Sequence, residues 1–455
     1  LTTASLPASA HVVIVGGGFS GALQAINLLR HKGPRATLIE RRPRAGEGLA
    51  YGDAAPEHLL NVRAKGMNAN PDDPEGFVRW LAARGGEYSA ECFVPRLVYG
   101  EYLRELLAEE MARQPGRLTL IRGEAVNMDL TAGAKVLLDD GQVIAADLAI
   151  LAVGNLPPHH PPGLSDELGL DIYAADPWAE GTTRGLNSHD TVLIVGTGLT
   201  MVDIVLRLEA EGFRGRMVAI SRRGLLPHRH GPQEPFEPID ERPEACASKL
   251  LGSVRRRAKE VGWRNAVDEL RRFTQQLWRA ADHPTRARFL RHLRPWWDIH
   301  RHRLSPEVAD RLAGLIIGGR LSVYAAATQR AEPRDGELAV VIKRRGAQNQ
   351  EELLVRRAIN CTGPQGNLAA AQDPLLRRLA ASGAIRPDPL RIGIDVDAQS
   401  RTIAADGRRN ENLYAIGPMT RGEAWEIVAV PDIRQQVWAL ARRLSNAHWI
   451  GGEGL

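Results

Sequence analysis

Cysteine is scarce. Only Cys92, Cys246 and Cys361 occur in 455 residues, and no two stand as a CxxC. A disulfide framework, a cysteine-rich zinc site and a redox dithiol are therefore not expected, and the usage points to a reducing cytoplasm. No stretch approaches the roughly 18 unbroken apolar residues of a membrane-spanning helix. Leu1 to Ala10 have no basic region and no apolar core, so no secretory signal is expected there. The chain also begins without Met, which suggests a trimmed start. There is no GxSxG elbow, no HExxH and no clustered set of metal ligands, so no metal is expected.

Other properties are ordinary. Hydrophobic residues make up 44% and charged residues 25%, the balance of a globular protein. The length is too great for one ordinary core and fits two or three domains. The formal charge of +5, from 59 Lys+Arg against 54 Asp+Glu, would say little about partners if spread evenly.

Two segments share a plan. The first opens with His11-Val-Val-Ile-Val15 and Gly16-Gly17-Gly18-Phe19-Ser20-Gly21. It continues with Arg117-Leu-Thr-Leu, Lys135-Val-Leu-Leu and Ala149-Ile-Leu-Ala-Val-Gly154. The second opens with Thr191-Val-Leu-Ile-Val195 and Gly196-Thr197-Gly198-Leu199-Thr200-Met201. It continues with Arg320-Leu-Ser-Val, Leu338-Ala-Val-Val-Ile342 and Ala358-Ile-Asn-Cys-Thr-Gly363. Each reads as strand, glycine turn, helix, strand, a small antiparallel sheet, then a strand ending in Gly. The predicted class is α/β, with two Rossmann-like dinucleotide-binding domains and a helical insert.

A bare GxGxxG says little, but the first one has its full context. A strand precedes it, Ala22, Ala25, Ile26 and Leu29 follow at helical spacing, and Lys32-Gly33 ends the helix. The next strand ends in Glu40, 22 residues after Gly18, where an acid can accept hydrogen bonds from an adenosine ribose. Gly16, Gly18, Phe19, Ser20 and Gly21 would bring backbone N–H groups to a pyrophosphate, and Arg41 follows the acid. We therefore expect a dinucleotide with a free adenosine ribose here. The second turn replaces the third glycine with Met201, and its next strand ends in Ser221-Arg222-Arg223 with no acid. A carboxylate there would repel a 2′-phosphate, whereas Ser and Arg would bind it. The expected coenzyme is NADPH, held by Gly196, Gly198, Leu199, Thr200, Ser221, Arg222, Arg223 and Gly363.

With both turns placed, the chain resembles the two-dinucleotide-binding flavoproteins. Among them it resembles an FAD/NAD(P)-binding oxidoreductase family distantly similar to class B flavin monooxygenases and amino-acid N-hydroxylases. The segments that carry the likeness are Gly48-Leu-Ala-Tyr51-Gly52, His58-Leu-Leu-Asn61-Val62, Asp176-Pro-Trp178, Trp297-Asp-Ile-His300-Arg-His302-Arg303 and Gly417-Pro-Met-Thr-Arg-Gly-Glu-Ala-Trp425-Glu426. The last runs on into Ala429-Val-Pro-Asp-Ile-Arg-Gln435. The resemblance implies an FAD domain built from both chain ends, residues 1–165 and 355–455. It implies an NADP domain at 166–235 and 320–354, and a helical basic insert at 236–319. It also implies that Gly48 to Val62, with Tyr51, Asn61 and Val62, lies along the flavin. Val126 would meet adenine through its backbone, and Gly154, Gly417 and Trp425 would complete the FAD site. There are departures. Disulfide reductases of this group carry a CxxC that is missing here. Pro418 stands where many members carry Asp after the glycine. Ile172 to Trp178 lacks the Phe, Gly and His of the FxGxxxHxxxWP signature of class B monooxygenases.

The insert is unusual in charge. Lys249 to Arg303 holds 15 Lys+Arg and 5 Asp+Glu, a net +10, which leaves −5 for the remainder. Phe289, Leu290, Leu293, Trp296 and Trp297 have helical spacing, so the region reads mainly as a packed cap. The basic residues either pair with the acidic remainder or line a pocket for an anionic substrate near Trp297, His300 and His302. Nucleic acid and membrane surfaces are not expected partners. Catalytic candidates are His58, Asn61, Trp297, His300 and His302. His58 reads either as an acid/base or as a histidine holding a loop.

The expected function is an FAD-dependent, NADPH-consuming monooxygenase, forming a C4a-(hydro)peroxyflavin with molecular oxygen and oxygenating a small polar or anionic metabolite. Amino-acid N-hydroxylation is one form of it. The alternatives are a flavin reductase or dehydrogenase serving a quinone or protein acceptor, and a non-catalytic flavin-binding protein. The sequence does not set the oligomeric state.

Overall fold

Runs rich in β-branched residues form strands and bury well between two layers. His11–Val15 and Thr191–Val195 do so here, each as an interior strand of a largely parallel sheet. A computed structural model of the chain describes residues 9–445, apart from 87, 233 and 234. The expectations for residues 1–8 and for the chain end after 445 lie outside the described residues.

The first sheet has six strands, in the order Arg401–Ile403, Arg409–Ala415, Leu148–Leu151, His11–Val15, Arg35–Glu40, Leu118–Arg122. All neighbours are parallel except the first pair. On one face lie helices Phe19–Arg30, Arg96–Arg113 and Val430–Leu444, which share an apolar core with the sheet. On the other lie a three-stranded antiparallel sheet, Ala125–Asp129, Ala134–Leu138 and Val143–Ala146, and helix Pro374–Ala381. Pro431 sits in the first turn of the last helix, where its missing N–H costs nothing.

The second sheet has seven strands, in the order Gln350–Val355, Glu337–Arg344, Leu321–Arg334, Arg216–Ser221, Thr191–Val195, Arg357–Asn360, Tyr173–Ala174. Its antiparallel part differs from that of the first half. It is no separate sheet, because the 14-residue strand Leu321–Arg334 runs parallel to Arg216–Ser221 and then antiparallel to Glu337–Arg344. Helix Leu199–Ala210 packs on this sheet together with helix Pro306–Ile317, through Val308, Leu312 and Leu315. Pro306–Ile317 thus falls within the expected insert range but serves as the crossover helix of the second sheet.

Between them lies a helical layer. Helix Ala247–Asp268 is broken at Gly262, whose φ of 78° is left-handed. Helices Thr274–Ala280, His283–Arg288 and Arg294–Arg301 follow, with one π-helical turn, Phe289–Leu293, before the last. Pro295 has no N–H to give, so the ladder must loosen there. Among the described residues no helix is long and apolar enough to cross a membrane, and no group of three or more His, Cys, Asp and Glu is placed to hold a metal.

The two halves are fastened by polar contacts. Arg96 donates from both terminal nitrogens to the Asp203 carboxylate, at 2.8 and 3.0 Å, and Asp203 stands on helix Leu199–Ala210. His58 accepts from the Ala55 N–H at Nδ1 (3.0 Å) and donates from Nε2 to the Asp203 carbonyl (2.9 Å).

Candidate functional site

The first glycine turn forces the chain into a shape that only Gly takes. Gly16 has φ 101°, and a β-carbon on Gly21 would lie 1.9 Å from the Gly16 carbonyl oxygen. Helix Phe19–Arg30 starts at Gly18 with no side-chain cap, so its first N–H groups stay open for an anion. A β-carbon on Gly18 meets nothing closer than Gly48 Cα at 3.4 Å, so the protein itself leaves that approach free. Behind the turn, Glu40 Oε2 accepts from the Gly17 N–H (2.6 Å) and Oε1 from the Arg42 N–H (2.8 Å). These bonds fix the carboxylate at the strand end, and each oxygen keeps a lone pair for a ribose hydroxyl. The chain end returns here: a β-carbon on Gly417, φ 75°, would lie 2.5 Å from Ser20 Oγ. The Gly417 N–H donates to Gln436 Oε1 (2.8 Å), and Thr420 Oγ1 donates back to the Gly417 carbonyl (2.8 Å). These residues fit an FAD pyrophosphate and ribose.

Other expected flavin-side residues sit as follows. Phe19 and Tyr51 meet edge to face at 5.9 Å, and Tyr51 also meets Tyr99 at 4.8 Å; burial pushes the Tyr51 phenol up, so it stays neutral. Asn61 gives its carbonyl to His230 Nε2 (3.0 Å). Val62 packs against the first core, and Gly154, φ 72°, has open space before it. Arg41 is exposed and pairs with Glu124 (3.4 Å) and Asp373 (3.9 Å). Val126 stands at a register shift, and its carbonyl accepts from Arg378 (3.0 Å) and keeps a second lone pair.

The second turn repeats the backbone. Gly196 has φ 124°, and a β-carbon there would lie 2.0 Å from the Cys361 carbonyl oxygen. Gly198 starts helix Leu199–Ala210 uncapped, with Leu199 and Thr200 in its first turn and nothing within 4 Å of a β-carbon on Gly198. Gly363, φ 85°, is equally open. Ser221 is a correction. Thr197 Oγ1 donates to the Leu225 carbonyl (2.6 Å), so the Ser221 hydroxyl donates to Thr197 Oγ1 (2.8 Å) and accepts from the Gly224 N–H (3.0 Å). It braces the loop and has no proton left for a phosphate. Arg222 is exposed, and Arg223 lies 6.0 Å from the centre of the Trp296 ring. Among the described residues neither has a carboxylate within 4.0 Å, and together they fit a 2′-phosphate.

Packing selects the loop-holding reading of His58 and moves Trp425 from its expected place. His58 has both ring nitrogens bound to backbone, and burial pushes its pKa down, so it is a neutral brace with no free position for acid/base work. Trp425 turns away into the insert, stacked on Trp278 at 4.8 Å and edge-on to Phe289 at 5.4 Å. The expected positive field is also reduced. Arg271 pairs with Asp432 (3.1 Å), Arg279 with Glu423 (2.9 Å) and Arg301 with Glu426 (3.8 Å).

Sequence reasoning missed Glu426 as a centre. It is 7% exposed and holds φ 67°, a conformation unusual for a non-glycine residue. Trp297 Nε1 donates to its Oε1 (2.9 Å), His302 Nε2 lies 3.7 Å away, and Arg301 Nε lies 3.8 Å from Oε2. Burial alone would raise its pKa; His302, Arg301 and Trp297 outweigh that and hold it down at about 2. His300 instead donates from Nδ1 to the Trp296 carbonyl (2.7 Å) and meets His228 and Trp263 at 4.7 and 4.9 Å. Arg421 was also missed. It donates to Asn155 Oδ1 (2.6 Å) and the Pro418 carbonyl (3.0 Å), and burial, then the charge of Arg294, lowers its pKa to about 10. A single Glu or Arg beside a glycine turn carries no sequence signal of such burial.

Comparison with known proteins agrees with the fold. Residues 13–156 match a family model described as FAD-NAD(P)-binding. No curated protein matches the sequence. Among solved structures, ornithine hydroxylase from Pseudomonas aeruginosa superposes with a TM-score of 0.67 at 14% identity, covering 96% of this chain and 99% of that one. The ornithine N-hydroxylase of Kutzneria sp. 744, with reduced FAD, NADP+ and L-ornithine in its description, gives 0.65 at 16% identity over 96% and 99%. L-lysine 6-monooxygenase from Pseudomonas syringae gives 0.65 at 14% over 96% and 98%. The chain therefore shares the fold of these hydroxylases along nearly its whole length, with the FAD-NAD(P)-binding match confined to residues 13–156.

Proposed function

We propose that this protein is an FAD-dependent, NADPH-consuming oxidoreductase and, more narrowly, a flavin monooxygenase of a small molecule. One observation carries the reading. Two parallel sheets each open with an uncapped glycine turn, one backed by the carboxylate of Glu40 and the other by the unpaired Arg222 and Arg223. Carboxylate suits a ribose diol and guanidinium suits a 2′-phosphate, so the two sites take different dinucleotides. The similarity to N-hydroxylating enzymes supports the monooxygenase form, and the expected domain ranges are kept in the proposal except that helix Pro306–Ile317 and strand Arg357–Asn360 go with the second sheet.

FAD, once bound, supplies hydride acceptance and oxygen chemistry. The chain's own tasks are positional. Open N–H groups at Gly18 to Ser20 hold a pyrophosphate, and Glu40 orients the ribose. Arg222 and Arg223 select the coenzyme. Arg421, buried beside the Gly417 turn, offers a fixed donor and positive charge at that end. The helical layer keeps bulk water from the cleft. Acid precipitation should release FAD, and NADPH should reduce the bound flavin at a lower KM than NADH. Oxygen consumption coupled to substrate turnover, without equivalent hydrogen peroxide, separates a monooxygenase from a reductase serving another acceptor. A colourless protein that takes up no added FAD overturns the proposal.

A further inference from the structure

The helical layer holds a half-open cavity of about 510 Å³, the size of a site for a drug-sized molecule. Its walls come from helix Ala247–Asp268, helix Thr274–Ala280, the π-turn Phe289–Leu293 and helix Arg294–Arg301. Five of the chain's nine tryptophans line it: Trp263, Trp278, Trp296, Trp297 and Trp425. Leucines, valines and alanines fill the gaps between the indoles. The polar groups at the wall are largely committed elsewhere. Thr274 Oγ1 donates to the Leu270 carbonyl (3.1 Å), and Arg286 Nε donates to the Trp278 carbonyl (2.8 Å).

Trp425 is 6% exposed and gives the cavity one face of its indole, stacked on Trp278 at 4.8 Å. Trp425 stands eight residues after Gly417, on the segment that packs against the first glycine turn. Trp425 thus ties one wall of the cavity to the chain segment that runs on from the Gly417 turn. The cavity walls are wrong for a small charged metabolite, which would lose its hydration and gain few partners. Indole faces instead suit flat aromatic rings, which they stack on or meet edge to face.

We propose that this cavity binds the aromatic body of the substrate, held between the indole faces of its walls. This deepens the monooxygenase reading and rests on it. It replaces the small polar or anionic metabolite with a molecule whose bulk is apolar.

The test uses the intact, flavin-loaded protein and the neutral probe N-phenyl-1-naphthylamine. Its fluorescence should rise saturably, with one probe bound per chain. Ala258→Trp fills the cavity and should weaken probe binding by about tenfold or more, while the flavin spectrum and melting temperature hold. Trp296 is 45% exposed, so Trp296→Ala tests the same wall with little risk to folding and should also weaken binding. Aromatic compounds that displace the probe should stimulate NADPH oxidation, whereas ornithine and lysine should do neither. Non-saturable binding, or equal binding by wild type and both variants, overturns the inference. So does loss of binding on self-association in sedimentation, or on flotation with phosphatidylcholine vesicles, because a second copy or a bilayer would then cover the cavity. Probe binding needs no turnover. A protein that oxidises NADPH but binds no probe loses only this inference; one that binds the probe but takes up no FAD loses the flavin reading.

Discussion

In the first nucleotide unit, Gly21 has no room for a β-carbon, because the Gly16 carbonyl oxygen stands 1.9 Å from where it would be. In the second unit the same place holds Met201, fully buried among the residues of the second core. The strand ends differ as well. Glu40 takes two backbone N–H groups and keeps lone pairs facing out, whereas Ser221 turns its hydroxyl inward to brace Thr197 and Gly224. Similar backbones thus present opposite charges. The lesson is that the residue beside the turn, and where its polar atoms are committed, separates two dinucleotide sites of one fold.

The sharpest way to break this comparison is to close each cradle in turn. Gly18→Val should abolish FAD retention, a loss above about a hundredfold if two N–H contacts of about 1.5–3 kcal/mol each are blocked. The fold should survive, since a β-carbon there meets only an ordinary contact at 3.4 Å. Gly198→Val should leave FAD bound and remove NADPH. Absorbance after gel filtration and NADPH titration read both, and loss of both ligands in either variant would deny that the sites are separate.

Next in size is the coenzyme contrast. Arg222→Ala with Arg223→Ala should cost about 3–6 kcal/mol in kcat/KM for NADPH, at about 1.5–3 kcal/mol for each charge-assisted bond. NADH kinetics should barely move. An equal loss with both coenzymes removes the phosphate role.

Acid should weaken the first unit's seam with the insert. The Glu426 carboxyl is held at about 2, below the ordinary 4.5. A depressed acid stabilises the fold above its unfolded pKa, and that contribution fades as pH falls from about 4.5 toward 2. It amounts to about 3 kcal/mol at most. Melting temperature should therefore drop across that window more steeply for wild type than for Glu426→Gln. Parallel curves would assign the acid sensitivity elsewhere.

The smallest expected effect concerns His58, which joins the two units. His58→Ala should lower stability by about 1–3 kcal/mol through two unmet backbone groups, and leave the pH profile of flavin reduction unchanged. Burial lowers the His58 pKa from 6.5, so the stability it contributes is present above pH 6.5 and falls as acid protonates the unfolded chain. A shifted pH profile of flavin reduction would return it to catalysis.

Much of the fold was legible because its signals are local. Val12 to Val15, the glycines and Glu40 lie within one βαβ unit, where spacing decides geometry. Ser221 was readable as a strand end but not as a brace, since its partner Thr197 acts across a turn. The cavity was hidden for a different reason. Trp263, Trp278, Trp297 and Trp425 span more than 160 positions of the chain, and their helical spacing fits core and ligand wall alike. The basic count from Lys249 to Arg303 was misleading because Asp432, Glu423 and Glu426, which answer part of it, come from the far end of the sequence.

The Arg96–Asp203 pair acts mechanically as a rivet. It joins a loop-and-helix corner of one half to the first helix of the other, and the His58 bond to the same residue stops it from swivelling. Removing either partner would leave the other's charge stranded away from water, at a cost on the order of 3–5 kcal/mol. Torque applied to one half is passed to the other and does not collect at a hinge. The spacing between the two glycine turns is then a preset gauge, fixed when the chain folds and before any coenzyme arrives.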